Sequence, residues 1–296
     1  MATTTKKKRR WLTPKTAPYL FIAPAVLLFI IFTVYPVISS LLLSFQTSSG
    51  GESEFVFLDN YIRLFNDPLF YKALSNTFII LIVQVPVMLM LAVLLAVLMN
   101  SALLRLRSFF RIAFFMPAIT ALVAYAIVFM IMLDENYGLV NYVLSVVGIE
   151  PVSWLNDPLW AKVSLMIAVT WRWTGYNMVI LLAGLQNISN DLYEAASIDG
   201  AGKVRQFFSI TLPQLRPILL FTFVLSTIGT LQLFDEPFIL TDGGPNNATL
   251  TISLFLYQNG FQFFDFNYAS AIAYVLVIII AILSWLQFRV AGDRDE

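Results

Sequence analysis

Six long apolar runs restrict this chain more than any other feature. A membrane helix needs about 20 mostly apolar residues. Six windows qualify, roughly 18–43, 74–99, 112–133, 162–186, 218–240 and 268–288. Four hold no charged residue; the exceptions are the fourth, with Arg172, and the fifth, with Asp235 and Glu236 near its end. The runs are continuous rather than alternating over ten-residue segments, which favours helices over barrel strands. Charged residues make up 12% of the 296 positions, against about 25% in a soluble domain. The expectation is an all-α integral membrane protein with six transmembrane helices.

Two residue types are absent. Without cysteine there is no thiol nucleophile, disulfide framework or cysteine-ligated zinc. Without histidine, imidazole acid–base chemistry and most transition-metal sites are excluded as well. Net charge is zero, which argues against a nucleic-acid partner. No catalytic residue, metal site or cofactor is expected in the chain itself.

Basic residues set the orientation. With the run Lys6–Arg10 and Lys15 in the cytoplasm, the connections 100–111 and 187–217 and the tail with Arg289 and Arg294 are cytoplasmic too. That places 14 of the 18 basic residues inside, and by the positive-inside rule both termini are cytoplasmic. Only Arg63, Lys72 and Lys162 fall outside, with Arg172 within a span. The first run is too long for a signal-peptide core, is interrupted by Pro24 and Pro36, and is read as a retained helix. The organisation is a basic N-terminus (1–17), one membrane domain (18–290) and a cytoplasmic tail (291–296).

The cytoplasmic segment 187–217 is longer than a turn requires. Asn190 and Asp191 are suited to cap a short helix, and Asp199-Gly200-Ala201-Gly202 to end it. A second amphipathic piece would set Val204, Phe207, Phe208 and Ile210 against Lys203, Arg205 and Gln206. Leu212-Pro213 and Arg216-Pro217 would then break it. Gly200-Ala-Gly-Lys203 is not a phosphate loop. Val204 stands where Ser or Thr belongs, and Ser197 where the first glycine belongs.

Glu194-Ala195-Ala196, Gly200, Ile210 and Leu212-Pro213 carry the spacing of the EAA motif, and the chain resembles the permease subunits of ABC importers at every motif position. Trp154 to Pro158, Trp171 to Trp173, Leu182 to Gln186, and Leu240 to Pro245 with Ala248-Thr249 resemble the carbohydrate, maltose-transporter-like branch, and its first permease in particular. The founding maltose subunit has extra N-terminal spans and a large periplasmic insertion that this shorter form lacks. The resemblance implies the type I ABC importer permease fold. It also implies ATPase coupling through Glu194, Ala195, Ala196, Asp199, Gly200, Ala201, Ile210, Leu212 and Pro213.

Polar groups inside a span are costly and mark functional positions by default. Thr170, Trp173, Thr174 and Asn177 share a stripe of the fourth run, and Ser226, Thr230 and Leu233 one of the fifth, with Gln232 and Asp235 nearby. Hydroxyls, amides and an indole suit a sugar path, and by resemblance these two spans line it. The plainer reading is hydroxyls satisfied by their own helix and tryptophan as packing. Arg172 needs a partner, and Asp235 or Glu236 is suited to pair with it.

The resemblance implies an ATP-driven, binding-protein-dependent sugar or oligosaccharide importer working by alternating access in the bacterial inner membrane. Its implied partners are a second permease, two ATPase subunits on 187–217 that hold ATP and magnesium, an extracytoplasmic sugar-binding protein and membrane lipid. A glycerol phosphate ester as cargo, an ion-coupled secondary transporter, and a membrane scaffold or sensor are the alternatives.

Overall fold

The computed structural model describes residues 15–49, 52–101 and 106–292. The run Lys6–Arg10, Arg105 and Arg294 lie outside them. Helix α1 (Ala17–Ser44) leads into a hairpin, β1 (Gln46–Ser49) and β2 (Glu52–Phe55), paired antiparallel with Gln46 opposite Phe55. Next come α2 (Asp59–Phe65), α3 (Pro68–Asn100), α4 (Arg107–Ile119), α5 (Leu122–Met132) and α6 (Leu139–Val146). Helix α7 (Pro158–Leu185) is followed by α8 (Asn190–Ile198), α9 (Lys203–Gln214), α10 (Arg216–Leu231) and α11 (Asp235–Thr241). Helices α12 (Ile252–Tyr257) and α13 (Phe266–Gly292) complete the chain.

Local sequence explains the ends and irregularities. The two long inner helices open alike, with an Asp cap and Pro at the first position, where its missing N–H is not needed. Asp67 accepts from Leu69 N at 2.8 Å, and Asp157 from Leu159 N and Trp160 N at 2.9 and 3.0 Å. Two widened π turns precede prolines. Pro36 follows Ile30–Val34, and Pro213 follows Phe207–Thr211, so each proline ring meets a widened turn four residues back instead of a clashing carbonyl.

Among the described residues, α1, α3 and α13 are each long and apolar enough to cross a membrane. Two bent pairs pass the same test together: α4 with α5, at 97°, and α9 with α10, at 66°. The chain is therefore multi-pass. Two expected spans are not single helices. The 112–133 window breaks where Thr120 and Ala121 turn extended (ψ 140° and 128°), with Thr120 Oγ1 bonded back to Met116 O at 2.9 Å. The 218–240 window stops at Leu231 and resumes at Asp235. The freed carbonyls are taken from α12: Thr251 Oγ1 donates to Leu233 O at 2.7 Å and Ser253 Oγ to Leu231 O at 3.4 Å.

Helices α3 and α7 form the centre, packed through Ala92, Ala96, Met178 and Leu181. Gly175 lets α7 press against α4, with its Cα facing the Phe114 carbonyl so closely that a Cβ would lie 1.7 Å from that oxygen. A second cluster under the outer loops joins Leu64, Phe70, Leu250, Ile252, Phe255 and Tyr268. In α1 only Ser44 is buried.

Candidate functional site

The break between α10 and α11 opens onto a cavity of about 310 Å³. Non-helical backbone at membrane depth is tolerated only where protein covers it or it borders a wet cavity. Here Gln232, Leu233, Asp235 and Glu236 line the space. Helix α7 contributes Trp173, Tyr176 and Asn177; α3 contributes Gln84 and Met88; α10 contributes Ser226, Gly229 and Thr230.

These side chains hold one another. Asn177 Nδ2 donates to Trp173 O at 3.1 Å, and Ser226 Oγ donates to Asn177 Oδ1 at 3.5 Å. Thr230 Oγ1 donates to Gln84 Oε1 at 3.3 Å, tying α10 to α3. The Trp173 ring stands edge-on to Tyr176, with centroids 5.6 Å apart. Fixed acceptors and donors beside an indole face give a surface that takes ligand hydroxyls without rearranging.

The residues expected on the path divide between two faces. Trp173, Asn177, Ser226, Thr230, Gln232 and Leu233 border the cavity, as does Asp235. Thr170 and Thr174 face an apolar groove of about 910 Å³ between α3, α4 and α7, with Thr174 Oγ1 bonded to Thr170 O at 2.6 Å. Gln84 borders both spaces and marks the divide. Sequence reasoning passed over Gln84, Met88, Tyr176 and Gly229. Gln84 was legible, being an amide inside an otherwise apolar run.

Arg172 makes no ion pair with Asp235 or Glu236 in this conformation. Among the described residues its guanidinium lies over the Tyr125 ring, 4.6 Å from the centroid, and 5.6 Å from that of Trp173. Tyr125 stands between the charges and donates its hydroxyl to Glu236 Oε1 at 2.5 Å. Nε and Nη1 of Arg172 are buried without a hydrogen bond among those residues.

At the other end of α10, α8 and α9 form the hairpin anticipated for 187–217. The cap is Ser189, whose Oγ accepts from Asp191 N at 3.2 Å; Asn190 already lies inside the helix. A Schellman turn closes α8. Gly200 N donates to Ser197 O at 3.1 Å and Ala201 N to Ala196 O at 2.8 Å, with Gly200 left-handed at φ +78°.

The second arm is phased differently from the expectation. Gln206 is buried, while Val204 and Phe208 are 72% and 62% exposed. Gln206 Nε2 donates to Ser197 Oγ at 2.8 Å and Ala201 O at 3.0 Å, so an amide expected to face solvent pins the two arms together. The π turn at Phe207–Thr211 shifts every later side chain relative to a regular helix. Helix α9 continues through Pro213, and the bend falls at Leu215 rather than at Leu212-Pro213.

Glu194, Ala195, Asp199, Gly200 and Pro213 are exposed, whereas Ala196, Ala201, Ile210 and Leu212 are half-buried. Glu194 makes no ion pair among the described residues.

Between α5 and α6, Glu135 accepts from Ser153 Oγ at 2.7 Å and Asn156 Nδ2 at 3.2 Å. These two bonds, Ser153 first, hold its carboxyl below the usual carboxylate range.

The chain is thus a helical membrane protein with a polar cavity at a broken helix and an exposed hairpin at the other end of the same helix. Residues 65–292 match the family model described as the binding-protein-dependent transport system inner membrane component, and the chain belongs to that family. It is a non-catalytic permease subunit of an ABC importer. It is 48% identical over 281 residues to the lactose transport system permease protein LacF of Rhizobium radiobacter, covering 93% of this chain and 94% of that one. To the arabinooligosaccharides transport system permease protein AraP of Bacillus subtilis it is 40% identical over 285 residues, covering 94% and 90%. Its fold is similar to a solved bacterial ABC transporter involved in the import of the acidic polysaccharide alginate. That match has a TM-score of 0.85 and 22% identity, and covers 94% of this chain and 96% of that one. A second structure of an alginate ABC transporter, in complex with its pentasaccharide-bound periplasmic protein, matches with a TM-score of 0.82 at 23% identity, covering 92% of each chain.

Proposed function

We propose that this chain is one of two permeases in a bacterial inner-membrane importer for a sugar or oligosaccharide, fed from outside by a sugar-binding protein. Two ATPase subunits, which hold the ATP and magnesium, dock on 187–217. Helix α7, 28 residues long, is counted as a span beside the three single helices and two bent pairs, giving six with both termini cytoplasmic. ATP-driven closure of the ATPases moves the hairpin, opens the path outward, and lets ligand pass from the binding protein to Trp173, Asn177, Ser226, Thr230 and Gln232. Hydrolysis resets the complex inward. No covalent step occurs on this chain.

The observation that carries the reading is the hairpin, whose exposed Glu194 and Ala195 lie ahead of a glycine turn locked by Gln206. Small residues allow a partner backbone to approach, and rigidity lets docking force become rigid-body motion of the spans. Family membership sets aside the ion-coupled secondary transporter and the scaffold. The test is a mild-detergent pull-down of the tagged chain from native membranes, beside a Gly200→Asp version. Recovery of an ATPase, a second permease and a binding protein is expected, with the ATPase lost in the variant. Recovery of no ATPase with either version overturns the docking assignment.

A further inference from the structure

The cavity wall has an uneven charge. Its lining holds two carboxylates, Asp235 and Glu236, and no lysine or arginine. Asp235 makes no ion pair among the described residues. Glu236 is buried and accepts a hydrogen bond from the Tyr125 hydroxyl. The remaining polar groups are amides, hydroxyls and an indole, all neutral.

A nearby cation had the opportunity to offset this charge. Arg172 adjoins Trp173 in sequence, yet it does not border the cavity, and its guanidinium lies over Tyr125 at 4.6 Å. Tyr125 gives its ring face to the arginine and its hydroxyl to Glu236. That arrangement keeps the cation behind the wall and an acceptor oxygen at it. Cation–π attraction in a desolvated setting is strong enough to hold the guanidinium there.

We propose that Asp235 acts as a charge filter in the path, so that this permease carries uncharged sugars and rejects those bearing a carboxylate, sulfonate or phosphate. The proposal rests on the cavity being the sugar path. Its physical basis is that like charges at contact range repel strongly in a cavity walled by protein, where water screens them poorly. An uncharged ring pays no such penalty, and its hydroxyls donate to the carboxylates while its C–H face covers Trp173. The filter also weighs against the glycerol phosphate ester, since no cationic group borders the cavity to receive a phosphate.

The test uses the full chain with its co-purifying partners in lipid nanodiscs. Saturation-transfer NMR, which detects weak ligands, compares glucose, galactose, arabinose and lactose with glucuronate and galacturonate. Wild type is expected to contact the neutral sugars and to show at least tenfold less transfer to the uronates. Asp235→Asn, close in shape, is read by the ratio alone and should raise the uronate-to-neutral ratio about tenfold. Glu236→Gln keeps an acceptor for Tyr125 and serves as the comparison variant, with a smaller change in the ratio expected than for Asp235→Asn. Trp173→Ala should abolish the neutral signal. Uronate transfer equal to neutral in wild type, or a ratio unchanged in Asp235→Asn, overturns the filter while leaving the path intact. No neutral signal in wild type, or a neutral signal unaffected by Trp173→Ala, overturns the path and the filter with it.

Discussion

Gly175→Ala tests whether α4 and α7 meet as tightly as their backbones indicate. A Cβ at Gly175 would lie 1.7 Å from the Phe114 carbonyl oxygen, 2.4 Å from its carbon and 3.1 Å from Phe115 N. Ordinary contact begins near 3.4 Å, so the helices must separate by about 1.5 Å, because the obstacle is backbone and no rotamer change relieves it. Overpacking costs about 1–3 kcal/mol when side chains can yield, and this site belongs at or above the upper end. On the size scaling of soluble domains, about 3 kcal/mol lowers the melting temperature by roughly 5–10 °C. Thermal melting of the purified protein in detergent, followed by size-exclusion chromatography, measures the shift. Gly184→Ala is the matched control: its Cβ would lie 2.4 Å from Ile218 Cδ1, the end of a flexible side chain, and should cost much less. Equal melting temperatures for wild type and Gly175→Ala would refute the close crossing.

Gly229 borders the cavity with open space where a Cβ would stand, so Gly229→Phe should leave melting nearly unchanged and block sugar uptake in reconstituted vesicles. Gln206→Ala removes two buried hydrogen bonds and should loosen the hairpin by about 1 kcal/mol, seen as faster amide exchange at 199–206 and weaker ATPase stimulation at unchanged cavity binding. Asp157→Ala deletes the cap of α7 and should cost about 1 kcal/mol, with Asp157→Asn recovering most of it in the same melt. Glu135 is held below its usual value of 4.5 by Ser153 and Asn156, so its contribution is complete above that pH and lost as pH falls through the lowered value. Trp154 fluorescence should therefore be flat near neutrality and change only on the acid side, and Glu135→Gln should remove that transition.

The apolar helices and the hairpin were legible because hydropathy and glycine turns are local. Membrane helices must satisfy their backbone internally, so long apolar runs announce themselves, and Gly200 is followed by the Schellman bonds its position implies. What was not legible depended on distant partners. Nothing local to Gln232-Leu233-Phe234 marks a break; it is held by Thr251 and Ser253, which lie in a later helix. Tyr125 likewise had to arrive from another helix before Arg172 could choose a ring over a carboxylate. The phase of the hairpin's second arm was hidden for a related reason. Gln206 is buried by its bonds to Ser197 and Ala201 of the first arm, a partner the second arm's own pattern does not show, and the π turn then shifts the residues after it.

The two functional ends lie on one rigid piece of chain. Helix α10 begins at Arg216, directly after the bend that ends the hairpin's second arm, and stops at Leu231, one residue before the cavity-lining break. At 1.5 Å per residue its 16 residues span about 24 Å. Leu215 is fully buried beside Gly184 of α7, and Ile218 meets the same glycine, so the hairpin end of α10 pivots on a close contact with the helix that carries Trp173 and Asn177. On the function proposed above, a push on the hairpin displaces Ser226 and Thr230 relative to Asn177 and Gln84, breaking the 3.5 and 3.3 Å bonds that join them. Those two bonds are the longest between side-chain oxygens or amides of the cavity wall, and they are the ones that join α10 to its neighbours. The other side of the wall is held by shorter bonds, from Tyr125 to Glu236 at 2.5 Å and from Thr251 to the Leu233 carbonyl at 2.7 Å, so α10 is the wall element with the weaker ties.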